Sequence, residues 1–234
     1  TNPQIPEYPD VLGEGSNLTI APLWNTQGLI GYWNFEEGSG TTALDTSGNQ
    51  NNGTWAGSQA GSNGYYSGGK VGSYSGTFDG STDYVTVSNS ALFVYNSGFT
   101  FSAWVYDSIP TTSAGIMYQY NPSSGCPIDI WITGGTPSYF RWETSCYSNF
   151  YDPNPLKANQ WYLITGTYNF SSGIASIYEN SILVSTSSKA GANNPIGLTI
   201  GSYVGHFPGF IDDVRIYNRA LSAAEIQALY NAEK

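Results

Sequence analysis

The chain has 234 residues, with 17 acidic against 7 basic side chains and a net charge of −10; that balance repels phosphate backbones and anionic bilayers and argues against nucleic-acid partners. Its 28 glycines, 19 tyrosines and 7 tryptophans, against only 10% charged residues, describe many turns and aromatic strands rather than salt-laced helices. No apolar run approaches the roughly 18 residues of a membrane span, and Thr1 opens no signal peptide, so the expectation is a mature or trimmed soluble chain without membrane insertion.

Residues 1–27 carry Pro3, Pro6, Pro9 and Pro22 without sustained periodicity and are expected to form an extended arm or linker, with Leu18–Ile20 available as an edge strand. Residues 28–234 are expected to form one domain. Short strand-like segments recur there between Gly, Asn, Asp and Ser clusters, the pattern of an all-β antiparallel two-sheet sandwich or jelly roll. In order these are Gly28–Gly53 (GLIGYWNFEEGSGTTALDTSGNQNNG), Phe78–Val85 (FDGSTDYV), Phe99–Val105 (FTFSAWV), Asn159–Tyr168 (NQWYLITGTY) and Ile177–Val184 (IYENSILV). Asn180–Ser181 occupies a hairpin turn, where a positive φ costs Ser181 more than it costs glycine.

Between the third and fourth segments lies a hairpin, Ile128–Ile132 and Tyr139–Glu143, flanked by the only cysteines, Cys126 and Cys146. A turn near Gly135 and Thr136 sets the cysteines opposite each other, so a disulfide is expected, and with it an extracellular setting; a pair of buried thiols is the alternative. The chain closes on Phe210–Tyr230, a strand with adjacent carboxylates Asp212 and Asp213 leading into a helix. Ser222 and Glu225 fit a capping box, which starts that helix near Ser222. Strict alternation assigns Phe210, Asp212, Val214 and Ile216 to one face and Ile211, Asp213, Arg215 and Tyr217 to the other, leaving one carboxylate among apolar neighbours and in need of a metal, a cation or backbone donors.

These segments, taken in order from Gly28 to Tyr230, resemble the bacterial type of laminin-G-like, concanavalin A-like lectin/glucanase domain: a jelly-roll β-sandwich with a short C-terminal helix. The resemblance implies glycan or protein-surface recognition by a unit appended to secreted and cell-surface proteins. It also implies a structural Ca2+ held by the Asp45 loop and the last strand, with Asp45, Asn51, Gly53 and Asp212 as candidates. Glu36 stands nearby where relatives have Asp, and oxygen-rich loops suit a cation that takes about six to eight oxygen ligands. The alternative is that Asp45 makes an Asx-turn and Asp212 caps backbone amides.

If Cys126 lies opposite Cys146, Asp129 faces Glu143, Ile130 faces Trp142 and Trp131 faces Arg141. Ile128, Ile130, Ile132, Phe140 and Trp142 then make a core face. Asp129, Trp131, Tyr139, Arg141 and Glu143 make a solvent-facing one, suited to stacking a sugar on the indole while charged groups fix its hydroxyls. Tyr118 and Tyr120 on the preceding segment widen this surface, and His206 borders it. The alternative is an Arg141–Trp131 cation–π pair without ligand.

The alternating carboxylates of sandwich-type glycanases, Glu-x-Asp-x-x-Glu, are absent. Glu36–Glu37 and Asp212–Asp213 are adjacent and expected to point to opposite faces, which leaves Asp129–Glu143 as the residual acid pair. The reading is a non-catalytic, extracellular carbohydrate-binding or adhesive module whose partner is a glycan or cell-surface polymer. The alternative is a globular subunit of a pilus-like or other surface appendage, joined through its arm to other subunits.

Overall fold

The computed structural model describes residues 26–59, 61, 63–88, 95, 97–121, 126–144, 149–188 and 196–234. The proline-containing arm through residue 25 and Cys146 lie outside these, as do the side chains of Tyr120 and Cys126. The strands are β1 (Leu29–Trp33), β2 (Thr42–Ala43), β3 (Gly53–Ala56), β4 (Tyr66–Gly68), β5 (Tyr74–Asp79), β6 (Tyr84–Val87), β7 (Gly98–Asp107) and β8 (Ala114–Asn121). They continue with β9 (Cys126–Ile132), β10 (Phe140–Glu143), β11 (Asn149–Tyr151), β12 (Trp161–Asn169), β13 (Ile174–Glu179), β14 (Ile182–Ser187), β15 (Ile196–Ile200) and β16 (Pro208–Tyr217), before helix α1 (Ala223–Glu233).

Two antiparallel sheets face each other. The first runs β14-β13-β12-β7-β16-β5-β4, with β1 also paired to β16, and the second runs β11-β10-β9-β8-β15-β6-β3-β2. β16 is the seam of the first sheet. On one side it pairs with β7; on the other it meets β5 at Pro208–Ile211 and β1 at Val214–Tyr217, so the first and last strands of the domain are hydrogen-bonded together.

Side chains alternate into a core dominated by rings: Trp33, Phe35, Trp55, Phe78, Phe99, Phe101, Phe140 and Trp142 are buried there. Phe99 and Phe101 meet Trp142 edge-on at 5.8 and 5.3 Å between centroids, geometries worth about 0.5–1.5 kcal/mol each beyond area burial. Gly166 makes room for that indole: a Cβ there would stand 2.7 Å from the Trp142 ring. The turn at Asn180 and Ser181 has φ of 50° and 70°, left-handed at both positions, as the tight hairpin demands.

Helix α1 begins at Ser222 with both halves of the capping box formed. Its apolar side, Ile226 and Leu229, packs with Leu221, Tyr217 and Tyr178 on the outer face of the first sheet. There Trp104 stacks on Tyr230 at 5.7 Å, and its Nε1–H donates to Glu233 at 2.7 Å.

The expected alternation along the last strand fails at one point. Asp213 takes φ 50° and the register shifts between Asp212 and Arg215, a β-bulge that inserts an unpaired residue. Ile211, Val214 and Ile216 therefore all join the core, while Asp212, Asp213 and Arg215 turn to the outer face. Asp212 and Asp213 do not point to opposite faces, and neither sits among core side chains.

Candidate functional site

Asp212 and Asp213 are partnered by protein. Asp212 accepts from the N–H groups of Lys70 and Val71 at 2.9 and 3.0 Å and from Asp213 N–H at 2.8 Å. Asp213 accepts from the Tyr32 hydroxyl and lies 3.4 Å from Arg215, which also reaches Glu233 at 2.8 Å. The guanidinium of Arg215 stacks on Tyr32 at 4.1 Å. A buried arginine is thus held by two carboxylates under the last turn of α1.

The expected calcium ligands are engaged in the same way. Asp45 accepts from Tyr32 and Ser47 N–H on Oδ1, both at 2.9 Å, and from Asn51 N–H on Oδ2 at 2.8 Å, an Asx-type turn that secures the loop. Glu36 accepts from the N–H groups of Ser73 and Tyr74. Asn51 donates to the Ile30 carbonyl, and Gly53 is a ladder residue of β3 with Val85 pressed against it. Among the described residues no three His, Cys, Asp or Glu side chains gather to hold a metal. Carboxylates ringed by N–H dipoles present positive, not empty, surroundings to a cation. Asn51 Oδ1, buried without a partner, is one oxygen where about six to eight are needed. Asp45, Asn51, Gly53, Asp212 and Glu36 do not fit a calcium cage.

The hairpin of the second sheet has the expected register: Asp129 faces Glu143, Ile130 faces Trp142, and Trp131 faces Arg141. Ile128, Ile130, Ile132, Phe140 and Trp142 are all buried in the core. The opposite face continues over four strands. One row reads Gly115, Trp131, Arg141, Tyr151 and the next reads Tyr118, Asp129, Glu143. A bulge at Ile116, between Gly115 and Met117, brings these rows into phase, because Ile116 and Met117 both enter the core.

Two features of this face differ from the expectation of a bare indole flanked by solvated charges. Arg141 lies over Trp131, its guanidinium carbon 4.7 Å from the ring centroid, so the guanidinium is the upper layer of the platform. Asp129 is fully buried although it points away from the core. The loop Ser202–His206 crosses here: Gly115 N–H donates to the Gly205 carbonyl, and a side chain at Gly115 would collide with the Tyr203 backbone. Tyr203 stacks on Tyr118 at 4.2 Å and 12°. This stack stands beside Asp129 and shields it.

Among the described residues Asp129 is the carboxyl group whose two oxygens both lack a hydrogen-bond partner. Burial, and next the Glu143 charge, push its pKa well above the ordinary carboxylate range, with Arg141 opposing. Burial, then Asp129 and Glu143, push the Tyr203 hydroxyl up to about 12. Trp131 Nε1 and Arg141 Nε are also buried without partners. Two donors and a carboxyl group therefore lie buried behind this face without hydrogen-bond partners. His206 lies against Tyr84 of β6, with ring centroids 5.9 Å apart, next to Gly205, whose carbonyl accepts from Gly115 N–H.

Sequence reasoning passed over Tyr203 and Tyr151, which are 39% and 57% exposed. Tyr151 stands next to Arg141 in the cross-strand row, with Tyr139 6.4 Å away. The two tyrosines, with Thr133, Pro153 and Ser185, line an open groove of about 450 Å³ where the second sheet meets β14. The signal for Tyr151 was the Asn149–Phe150–Tyr151 alternation after the hairpin. No local signal marks Tyr203, which arrives from a loop far along the chain.

A family model described as the concanavalin A-like lectin/glucanases superfamily matches residues 79–227, well over half of the chain. No curated protein sequence matches it significantly. Among solved structures, domain 4 of an extracellular GH43 arabinanase from Geobacillus stearothermophilus, in complex with arabinotriose, superposes with a TM-score of 0.63 at 18% identity, over 86% of this chain and 98% of that one. A structure of botulinum neurotoxin type C, whose cell entry depends on interaction with two ganglioside molecules, gives 0.63 at 18% identity over 88% of this chain and 51% of that one. The binding domain of Paraclostridial Mosquitocidal Protein 1 gives 0.65 at 18%, over 89% and 53%. The chain thus spans about half the length of the toxin chains it matches. At such identity the likeness is one of fold.

Proposed function

The chain belongs to the concanavalin A-like lectin/glucanases superfamily, and within it we propose a non-catalytic, extracellular glycan-binding module that uses the outer face of the β8–β11 strands. The observation that carries this reading is the Arg141–Trp131 stack with Trp131 Nε1 and Arg141 Nε unpartnered beside the buried Asp129. Buried polar groups are ordinarily satisfied within the fold, and this cluster, closed to solvent in the free protein, lies directly beneath the partly exposed Arg141 and Tyr203 that a ligand would meet first. Hydroxyl groups suit it because each both donates and accepts. The flat guanidinium and the rings of Tyr203 and Tyr151 supply area for the apolar faces of sugars.

Catalysis has little support in this geometry. A glycosidic acid and nucleophile must both reach the scissile bond, and Asp129 exposes no surface beside Glu143. The extracellular setting rests on the arabinanase that domain 4 belongs to and on the cysteine pair, for which we keep the Cys126–Cys146 disulfide as part of the proposal. Thiol titration under denaturing conditions tests it directly. For the function itself, a glycan array is read with the wild type and with Arg141→Ala. Specific signals that vanish in a folded Arg141→Ala support the site. Signals that persist move the binding surface elsewhere, and a wild type that binds no glycan overturns the reading.

A further inference from the structure

The geometry points to an elongated cleft that takes a linear, uncharged oligosaccharide, with one subsite on the Arg141–Trp131 platform and a second in the Tyr139–Tyr151 groove. This rests on the glycan-binding reading and adds to it chain length and charge class.

The two subsites are continuous. Trp131, Arg141 and Tyr151 occupy one register row on β9, β10 and β11. At roughly 4.8 Å between neighbouring strands, the two ends of that row stand about 10 Å apart, a span for linked sugar rings rather than for one. Trp131 and Arg141 in this row are each partly exposed, so a chain crossing the strands passes over the guanidinium–indole platform, with Trp131 Nε1 and Arg141 Nε buried within it. At its far end the groove of about 450 Å³ is walled by Thr133, Tyr139, Tyr151, Pro153 and Ser185. None of these is charged. Two phenol rings and a proline offer stacking surface, while Thr133 and Ser185 are small hydroxyl residues that match hydroxyls on a ligand.

The charge around the first subsite points the same way. Arg141 carries one positive charge, and Glu143 and Asp129 stand in the neighbouring row. An acidic sugar placed on Arg141 lies beside the row that holds Glu143, in a protein of net charge −10. An uncharged chain meets no such opposition.

The test is isothermal titration of the wild type and of Tyr151→Ala with neutral linear oligosaccharides of gluco, xylo, manno and arabino series, each from monosaccharide to hexasaccharide, and with oligogalacturonates as the acidic counterpart. Expected is an affinity that climbs by about tenfold or more with length and then levels off, with oligogalacturonates binding more weakly than neutral chains of equal length. Tyr151→Ala, at a half-exposed position where folding is checked by thermal melting, is expected to lose the gain from length and to keep the affinity for the shortest ligand bound. Binding that does not depend on length, or a Tyr151→Ala profile identical to the wild type, overturns the second subsite and leaves the glycan-binding reading standing. Stronger binding of the acidic series overturns the charge assignment. Absence of binding across every series removes the glycan reading itself. A Tyr151-dependent dimer in sedimentation, without length dependence, assigns the groove to a second copy of the chain instead.

Discussion

On the outer face of one sheet, Arg215 is clasped by Asp213 and Glu233 beneath helix α1, with Tyr32 stacked on it and Trp104 completing the second oxygen of Glu233. On the outer face of the other, Arg141 lies on Trp131 near Asp129 and Glu143, and Asp129 and Trp131 Nε1 have no partner. Both faces combine an arginine, two carboxyl groups and aromatic rings. In the first, Arg215 bridges both carboxylates, with Asp213 Oδ2 held only by the 3.4 Å ion pair; in the second, neither oxygen of Asp129 has a hydrogen-bond partner. Buried charge that the protein completes by itself acts as a fastener for the C-terminal helix, whereas a cluster left incomplete lowers stability, and under the proposed function it is the part of the surface that meets a ligand.

The comparison predicts opposite signs for mutation on the two faces. Arg215→Ala leaves Asp213 and Glu233 buried without their cation and is expected to lower unfolding free energy by about 3–5 kcal/mol, read by denaturant titration; a loss below 1 kcal/mol breaks the idea of a fastener. Asp129→Leu removes a buried acid that nothing satisfies and is expected to raise stability by about 1–3 kcal/mol. A clear loss there means that Asp129 is a structural group after all.

A third carboxyl pair, Asp152 just after β11 and Glu179 at the end of β13, lies between the two sheets next to the tyrosine groove and sharpens the contrast through pH. Burial, and then the nearness of Asp152, push Glu179 up to about 7, and burial raises Asp152 as well. Folded pKa values above the unfolded ones stabilise the fold fully below the unfolded pKa of roughly 4 and lose that contribution as pH rises through about 7. Wild-type stability is therefore expected to fall between about pH 4 and 7. Glu179→Gln is expected to flatten that decline, and an unchanged slope removes the pair from the account. The smallest effect is expected from calcium. Because Asp45, Glu36 and Asp212 already accept main-chain N–H groups, saturating calcium after chelation should leave the melting temperature within about 1 °C, and a rise of many degrees restores the metal site.

Much of this architecture was legible because its causes are local. Ser222 and Glu225 cap the helix through neighbouring residues, and hydrophobic alternation sorted Ile128, Ile130, Phe140 and Trp142 into the core and aligned Trp131 with Arg141. What sequence could not show depends on insertion or distance. The bulges at Ile116 and Asp213 each add one residue to a strand and reverse the faces beyond it, which alternation cannot anticipate. Tyr203 covers Asp129 from a loop some 70 residues away, turning a carboxylate expected in solvent into a buried acid. The Asp45 loop is rich in oxygens, but the backbone N–H groups from which Asp45 accepts belong to Tyr32 of β1 and to Ser47 and Asn51 of the loop itself, a closure that composition does not reveal.

The contrast between the faces is tested most directly by the indole N–H signals of 15N-labelled protein titrated with the oligosaccharide of highest affinity. Trp131 Nε1 has no partner in the fold, while Trp104 Nε1 is bonded to Glu233. The account predicts that the Trp131 resonance, assigned by Trp131→Phe, shifts in step with saturation while that of Trp104 stays in place. A shift at Trp104 with Trp131 unmoved contradicts it.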